Sequence, residues 1–342
     1  MDAEEIAMTT QLDSWLALTE EEPIEPDMPI LDPHHHFWER PGDVYLLENL
    51  LADTGSGHRV NQTVFVECRS MYRTDGPVEM RPVGEVEFVE GIAAANVAAG
   101  GATAVAAGIV GNADLMLGDA VEPVLEALSE AGKGRFKGIR CTAAWDASPE
   151  ITTARANSAG MLAAPNFRKG LACLERMGLS FDCIVYHPQL PEVADMARAF
   201  PGLTIILNHV GRPLGIGPYA GRREELMPEW RRGIDAVAEC PNVVVKVGGL
   251  GNPISGFDWH QRPFPPGSGE TASATEPYYL YCIEKFGAHR CMFESNFPVD
   301  KQSCSYTVCW NAFKRMTREF SATEQADLFH NTAARAYKLP EI

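Results

Sequence analysis

The run DPHHHFW (32–38) puts three consecutive histidines at the end of an apolar stretch. Residues two apart on a strand share a face, so His34 and His36 project together and His35 projects opposite. Two imidazoles side by side can bind a divalent metal or grip a substrate oxygen. His187 closes FDCIVYH and His209 closes LTIILNH, so four of the nine histidines stand at the ends of three apolar runs. Other chemistry-bearing residues hold equivalent places. Glu67 and Arg69 end QTVFVECR, Arg140 lies in FKGIRCT, Lys246 in NVVVKVG, and Glu294 and Asn296 in RCMFESN. Blander duties compete for several of them. Glu67 could pair with Arg69 or Arg73, and His187, before Pro188, could cap a helix. Arg140 and Arg212 could sit in ion pairs, yet an arginine fork aimed into a cleft suits a carboxylate. Lys246, flanked by valines, would be costly to bury unpaired, so it is an ion-pair partner or a site residue.

Eight apolar runs read as buried strands: 29–36, 62–69, 103–110, 136–142, 181–187, 203–209, 242–248 and 290–296. Helix-like stretches alternate with them, and two more close the chain. Ser321 and Glu324 form a capping box for the last. Strand–helix alternation argues for a parallel sheet. A mean spacing of about 37 residues between strands suits an α/β fold of the (β/α)8 (TIM) barrel type. A doubly wound open sheet predicts a glycine-rich turn after the first strand, and DPHHHFW is the opposite of one. A barrel places its catalytic groups at the C-terminal strand ends, where the residues above fall. Residues 28–342 are expected to form that single domain. Residues 1–27 form an acidic N-terminal extension with a short helix whose apolar side carries Leu12, Trp15, Leu16 and Leu18. Residues 251–273 form the longest stretch without periodicity, a candidate functional loop with Trp259 and His260 as a lid.

The net charge is −17, and nine acids fall before Met28, where no Lys or Arg occurs. The remainder, 37 acids against 29 bases, is still acidic, which argues against nucleic acid or an anionic membrane as partner. No apolar run approaches the roughly 20 residues that span a bilayer. MDAEEIAMTT is acidic where a secretory signal is basic. Nine scattered cysteines without a C-x-x-C read as reduced thiols of a cytoplasmic protein, with no disulfide framework. The extension and the final helices are surfaces on which a second copy could pack into a homo-oligomer.

DPHHHFW, HPQLPEVADMARAFPGLTIILNHVGRP, VVVKVGGLG, CMFESNFPVDK and NTAARAYKL together resemble the amidohydrolase superfamily. The similar branch is the amidohydrolase-2 type, which includes 2-pyrone-4,6-dicarboxylate lactonase and L-fuconolactonase. The resemblance runs from about Pro29 to Leu339. It implies a (β/α)8 barrel and hydrolysis of a lactone ring. His34, His36 and His209 match family histidines, and Arg140 and Arg212 match arginines that contact a substrate carboxylate. His187 matches a position that carries a metal ligand in metal-dependent relatives. Strand eight departs from the pattern: relatives read G-S-D-W-P, and here Asn296 stands where the aspartate removes a proton from water. A neutral amide cannot act as a base. Glu294, on the same strand face, is the first replacement; Glu67, Asp300 or a metal-bound water are the others. The expected function is therefore hydrolysis of a small anionic lactone or related ester-like ring. His34, His36, His209, Glu294 and Asn296 would be catalytic, and Arg69, Arg140, Arg212, Lys246 and His260 would bind substrate. His34, His36, His187 and Glu67 would hold a divalent metal such as zinc, unless the imidazoles polarise the carbonyl without one. A metal-dependent aromatic-acid decarboxylase and a catalytically inactive barrel that binds a small acid are the alternatives.

Overall fold

A computed structural model describes residues 11–151 and 158–340. Residues 1–10 of the acidic extension, including the start of its expected helix, lie outside the described residues, as do 152–157 and 341–342. Eight strands form one sheet in chain order: β1 (Ile30–His35), β2 (Val60–Val66), β3 (Ala104–Gly111), β4 (Phe136–Thr142), β5 (Ser180–Ile184), β6 (Ile205–Leu207), β7 (Val243–Val247) and β8 (Cys291–Phe293). Every neighbouring pair is parallel. The sheet closes where β8 runs back to β1. There the backbone N–H of His36 donates to Phe297 O (2.9 Å), and that of Ser295 donates to Asp32 Oδ1 (3.0 Å). Asp32 also accepts from the Ser295 and Tyr306 hydroxyls, so it acts as a clasp.

Helices cover the outside: Leu47–Thr54, Val83–Ala98, Glu122–Ala131, Pro165–Met177, Leu190–Ala199, Arg223–Ala238, Ser268–Phe286 and Tyr306–Met316. Strand alternation sorts the side chains into two cores. Ile139, Phe181, Ile205, Val245 and Phe293 face the helices. Inside the barrel Leu31, Val64, Val110, Ile206 and Met292 pack against Ala333, Ala334, Tyr337 and Leu339 of the C-terminal segment. That segment plugs one end of the barrel with apolar side chains.

Several boundaries differ from the sequence reading. The final helix is broken into Ala322–Ala326, a π turn at Asp327–Asn331, and Thr332–Ala336. Its capping box is present, with Ser321 and Glu324 bonded reciprocally. A two-stranded ribbon, Trp38–Arg40 with Asp43–Tyr45, and the helix Leu47–Thr54 follow β1 where no element was expected. The expected 251–273 loop ends earlier, because Ser268 begins a helix. Glu21 Oε1 accepts the Ser268 N–H at that helix's first turn (2.7 Å). Glu21 belongs to the segment before Met28, which is tied down further by Lys314 Nζ donating to the carbonyls of Ile24 (2.9 Å) and Glu25 (2.8 Å). Helix 11–16 buries Leu16, whereas Leu18 lies beyond its end and is 55% exposed, so it is not on the packed side. No helix of the described residues is long and apolar enough to cross a membrane.

Candidate active site

Side chains from β1, β4, β5, β7 and β8 meet in the barrel interior, above the apolar plug. Arg140, Asp182, Lys246 and Glu294 share the inward parity of their strands, and all four are buried. They form ion pairs and histidine contacts with little water to screen them. Asp182 Oδ1 accepts from Lys246 Nζ (2.8 Å), Tyr337 OH (2.9 Å) and Asn208 Nδ2 (3.1 Å). Arg140 Nε donates to Glu67 Oε1 (2.9 Å), and its Nη2 donates to the Glu67 carbonyl. The two buried cations are thus each matched by a carboxylate, as burial of charge requires.

His34 lies between them. Its Nε2 is 3.2 Å from Arg140 Nη1, and its Nδ1 is 2.6 Å from Glu294 Oε2 and 3.2 Å from Lys246 Nζ. A neutral imidazole has one lone pair, and guanidinium can only donate. Ammonium can only donate too, so both ring nitrogens of His34 face a cationic donor, with the Glu294 carboxylate close by on the Nδ1 side. Burial, then Lys246, hold this imidazole well below its usual range, so it is neutral. His36 turns its Nδ1 to Val66 O (2.7 Å), which puts its own lone pair on Nε2. His35 points the other way, against Phe37 and Phe65, with its Nε2 2.9 Å from Thr63 Oγ1. The alternation expected for the triplet is present.

His209 sits on a strained turn. His209, Val210 and Arg212 all have positive φ (53°, 47° and 45°), a conformation costing L-residues roughly 1–2 kcal/mol each. The indole of Trp230 donates to Val210 O (2.9 Å) and holds the turn. His209 Nδ1 lies 2.7 Å from Glu294 Oε1. Room for this pair comes from Gly248 and Gly249 after β7. A Cβ on Gly249 would stand 2.2 Å from His209 Nδ1, and one on Gly248 would stand 2.5 Å from Glu294 Cγ. Burial pushes the Glu294 carboxyl up to about 8, against the pull of Lys246. Burial also holds His209 well below the ordinary histidine range, with Arg212 adding to the effect.

Above these residues opens a cavity of about 250 Å³. Its lining includes His36, Trp38, Arg40, Arg140, His209, Arg212 and Asn296. Asn296 Nδ2 donates to Asp300 Oδ1 (2.7 Å), and Asp300 Oδ2 accepts the Gly251 N–H (2.8 Å). Burial pushes Asp300 up to about 7.

The other expected site residues fall elsewhere. Lys246 lies beneath the cavity, bound to Asp182, and Arg140 reaches the cavity with its nitrogens turned to Glu67 and His34. Arg69 lies three residues beyond β2 with φ 62° and is exposed, because Glu85 Oε1 captures the Cys68 and Ser70 N–H groups and turns the chain outward. His187 lies three residues beyond β5, where its Nδ1 accepts the Leu214 N–H (3.2 Å). His260 contacts Gln261, and Trp259 is buried against Phe257; neither lines the cavity. Among the described residues, the donor cluster with all ligand atoms within 4.8 Å is His34, His209 and Glu294. Two neutral imidazoles and a carboxylate are donor types that can hold a divalent metal. The fixed charges of Lys246 and Arg140 lie beside it. His36, His187 and Glu67 are not in that cluster. All nine cysteines are buried, and none is joined in a disulfide.

Sequence reading missed Asp182, Tyr337, Trp38 and Arg40. Asp182 stood as a carboxylate inside an apolar strand, and His36, Trp38 and Arg40 continue the even-numbered face of His34. Both were usable signals; Tyr337 offered none.

The chain matches the Amidohydro_2 (amidohydrolase) family over residues 31–339. It is 32% identical over 336 residues to an uncharacterized protein of Sinorhizobium fredii, covering 92% of this chain and 99% of that one. It is 29% identical over 180 residues to L-fucono-1,5-lactonase of Burkholderia multivorans, covering 52% and 57%. In fold it resembles a crystal structure of an amidohydrolase from Burkholderia multivorans with bound zinc. The TM-score is 0.70 at 24% identity, over 91% of this chain and 99% of that one. The chain belongs to the Amidohydro_2 family and is a hydrolase of the amidohydrolase superfamily.

Proposed function

We propose that this enzyme opens the ring of a small anionic lactone by attack of water. The observation that carries the reading is the Glu294–His209 pair, 2.7 Å apart, beside an arginine-lined cavity. The cavity volume of about 250 Å³ suits a single ring, below the roughly 300–1,000 Å³ of sites for larger ligands. The relation to a lactonase supports the same choice.

Once ionised, Glu294 keeps the His209 proton on Nδ1, so Nε2 carries the lone pair that takes a proton from water. The carboxylate then stabilises the imidazolium, the role an acid plays behind a catalytic histidine. His36 Nε2 is a second acceptor for orienting that water. Arg140 supplies fixed positive charge to the oxyanion that forms on the ring carbonyl, and Arg212 takes the substrate carboxylate. Asn296 cannot be the base, but its Nδ2 is committed to Asp300, which leaves Oδ1 to accept a hydrogen bond. The base comes from His209 and Glu294, so Asn296 gives no ground for an inactive barrel. With a divalent ion such as zinc bound, His34, His209 and Glu294 would hold it, and the acidified water and polarised carbonyl it supplies would stand in place of His209 as base. Nine buried cysteines with no disulfide among them support a cytoplasmic setting.

A proton-release assay over five- and six-membered lactones, neutral and carboxylated, tests the reading. We expect kcat/KM of about 10⁴ M⁻¹s⁻¹ or more on at least one carboxylated lactone. Background rates on all of them, with carbon dioxide released from hydroxybenzoic acids, would replace it with the decarboxylase.

A further inference from the structure

We propose that Arg40, on the ribbon after β1, is the outer anion contact of the cavity and selects lactones that carry a carboxylate away from the reacting carbonyl. The proposal rests on the lactonase reading for its substrate and on geometry for its residue. Trp38 stacks on His36 with centroids 5.9 Å apart and planes 22° apart. The Arg40 guanidinium lies 4.1 Å over the Trp38 ring. The three side chains make one column, from the imidazole beside the reacting centre to the cavity mouth. A guanidinium over an indole face is held by the ring and can still offer N–H groups to a planar anion. Arg40 is exposed, and its one polar contact is a long one, Nη2 to Cys68 O at 3.5 Å. No carboxylate of the described residues pairs with it, whereas Arg140 and Lys246 are spent on Glu67 and Asp182. The indole N–H of Trp38 is also buried with no acceptor among the described residues, although nearly all buried donors have one. On one ribbon, then, Arg40 lacks a carboxylate and the Trp38 indole N–H lacks an acceptor among the described residues, beside an otherwise acidic protein's arginine-lined cavity.

The experiment has a binding arm and a turnover arm. Succinate is titrated calorimetrically into wild type, Arg40→Met, Arg40→Lys and a surface control, Arg222→Met. We expect Arg40→Met to weaken succinate about tenfold, Arg40→Lys to recover part of the loss, and the control to match wild type. In the turnover arm, an aldarolactone with a free carboxylate is compared with its neutral aldonolactone analogue. Arg40→Met is expected to lower the preference for the carboxylated ring about tenfold. Unchanged succinate affinity in Arg40→Met, no succinate binding to wild type, or equal losses on both lactones would overturn the role of Arg40. Wild type turning over neither lactone would sink the lactonase reading, and the titration would still decide Arg40.

Discussion

Replacing Glu294 by glutamine keeps the shape of the site and removes one charge. The carboxylate spans two imidazoles, 2.6 Å from His34 Nδ1 and 2.7 Å from His209 Nδ1. With charge centres about 4.5 Å apart and an effective dielectric near 20, it stabilises an imidazolium at His209 by about 3.7 kcal/mol. The neutral amide still accepts the His209 proton but forfeits that stabilisation, which corresponds to a roughly 500-fold loss in rate. Above about pH 8, where the wild-type carboxyl is ionised, we expect kcat of Glu294→Gln to fall about 10²- to 10³-fold with KM within about threefold, since the ground state gains little from the charge. Stability should move the other way. Burial already pushes this carboxyl up to about 8, so its ionised form is strained in the fold. The glutamine variant should therefore melt at or above the wild-type temperature. Steady-state kinetics and thermal denaturation on the same preparation check both halves. A kcat within tenfold of wild type would refute the role of the pair, whatever the melting temperature does.

Gly249→Ala should fold and lose activity, because its Cβ would stand 2.2 Å from His209 Nδ1 and drive the imidazole off Glu294; intact circular dichroism with kcat down at least about 100-fold is the expected pairing. Lys246→Met leaves Asp182 buried without its cation and should destabilise by about 3–5 kcal/mol in denaturant titrations. The same variant should bind added zinc more tightly, since a fixed positive charge 3.2 Å from His34 Nδ1 is gone. The pH dependence of stability follows from two opposed groups. Burial holds His35 at about 3 and His58 and His187 at about 4, below their unfolded range, so their contribution is present above about pH 6.5 and is lost as pH falls toward 4. Burial raises Asp32 to about 6, Asp300 to about 7 and Glu85 to about 8, so theirs is present at low pH and is lost as pH rises through 6 to 8. The melting temperature should peak near pH 6 and fall on both sides; a monotonic rise to pH 8 would contradict this.

The strands were legible because parallel strands buried on both faces are continuous apolar runs, and all eight were placed in order. Their ends were not. Apolar continuity carried β2 to Arg69 and β5 to His187, yet both strands stop three residues earlier. In β2 a buried glutamate captures the next N–H groups, and after β5 ends at Ile184 a 3-10 turn containing Pro188 spans His187–Gln189. Period two gave the shared face of His34 and His36 and pointed to Glu294 as the replacement for the absent aspartate. The same rule, continued to Trp38 and Arg40, would have reached the ribbon. Tyr337 lies 155 residues from Asp182, and only the closure of the barrel by the C-terminal segment brings them together. Such contacts belong to tertiary structure and leave no local pattern.

The central claim is that water, deprotonated at the Glu294-backed His209, opens a lactone ring. Its most direct test is turnover of a carboxylated lactone in ¹⁸O-labelled water, with the product analysed by mass spectrometry and the rate compared in His209→Asn. The account predicts one labelled oxygen in the new carboxylate per turnover, and a rate at least about 10³-fold lower in the variant. An unlabelled product, or a His209→Asn enzyme that labels as fast as wild type, would contradict it.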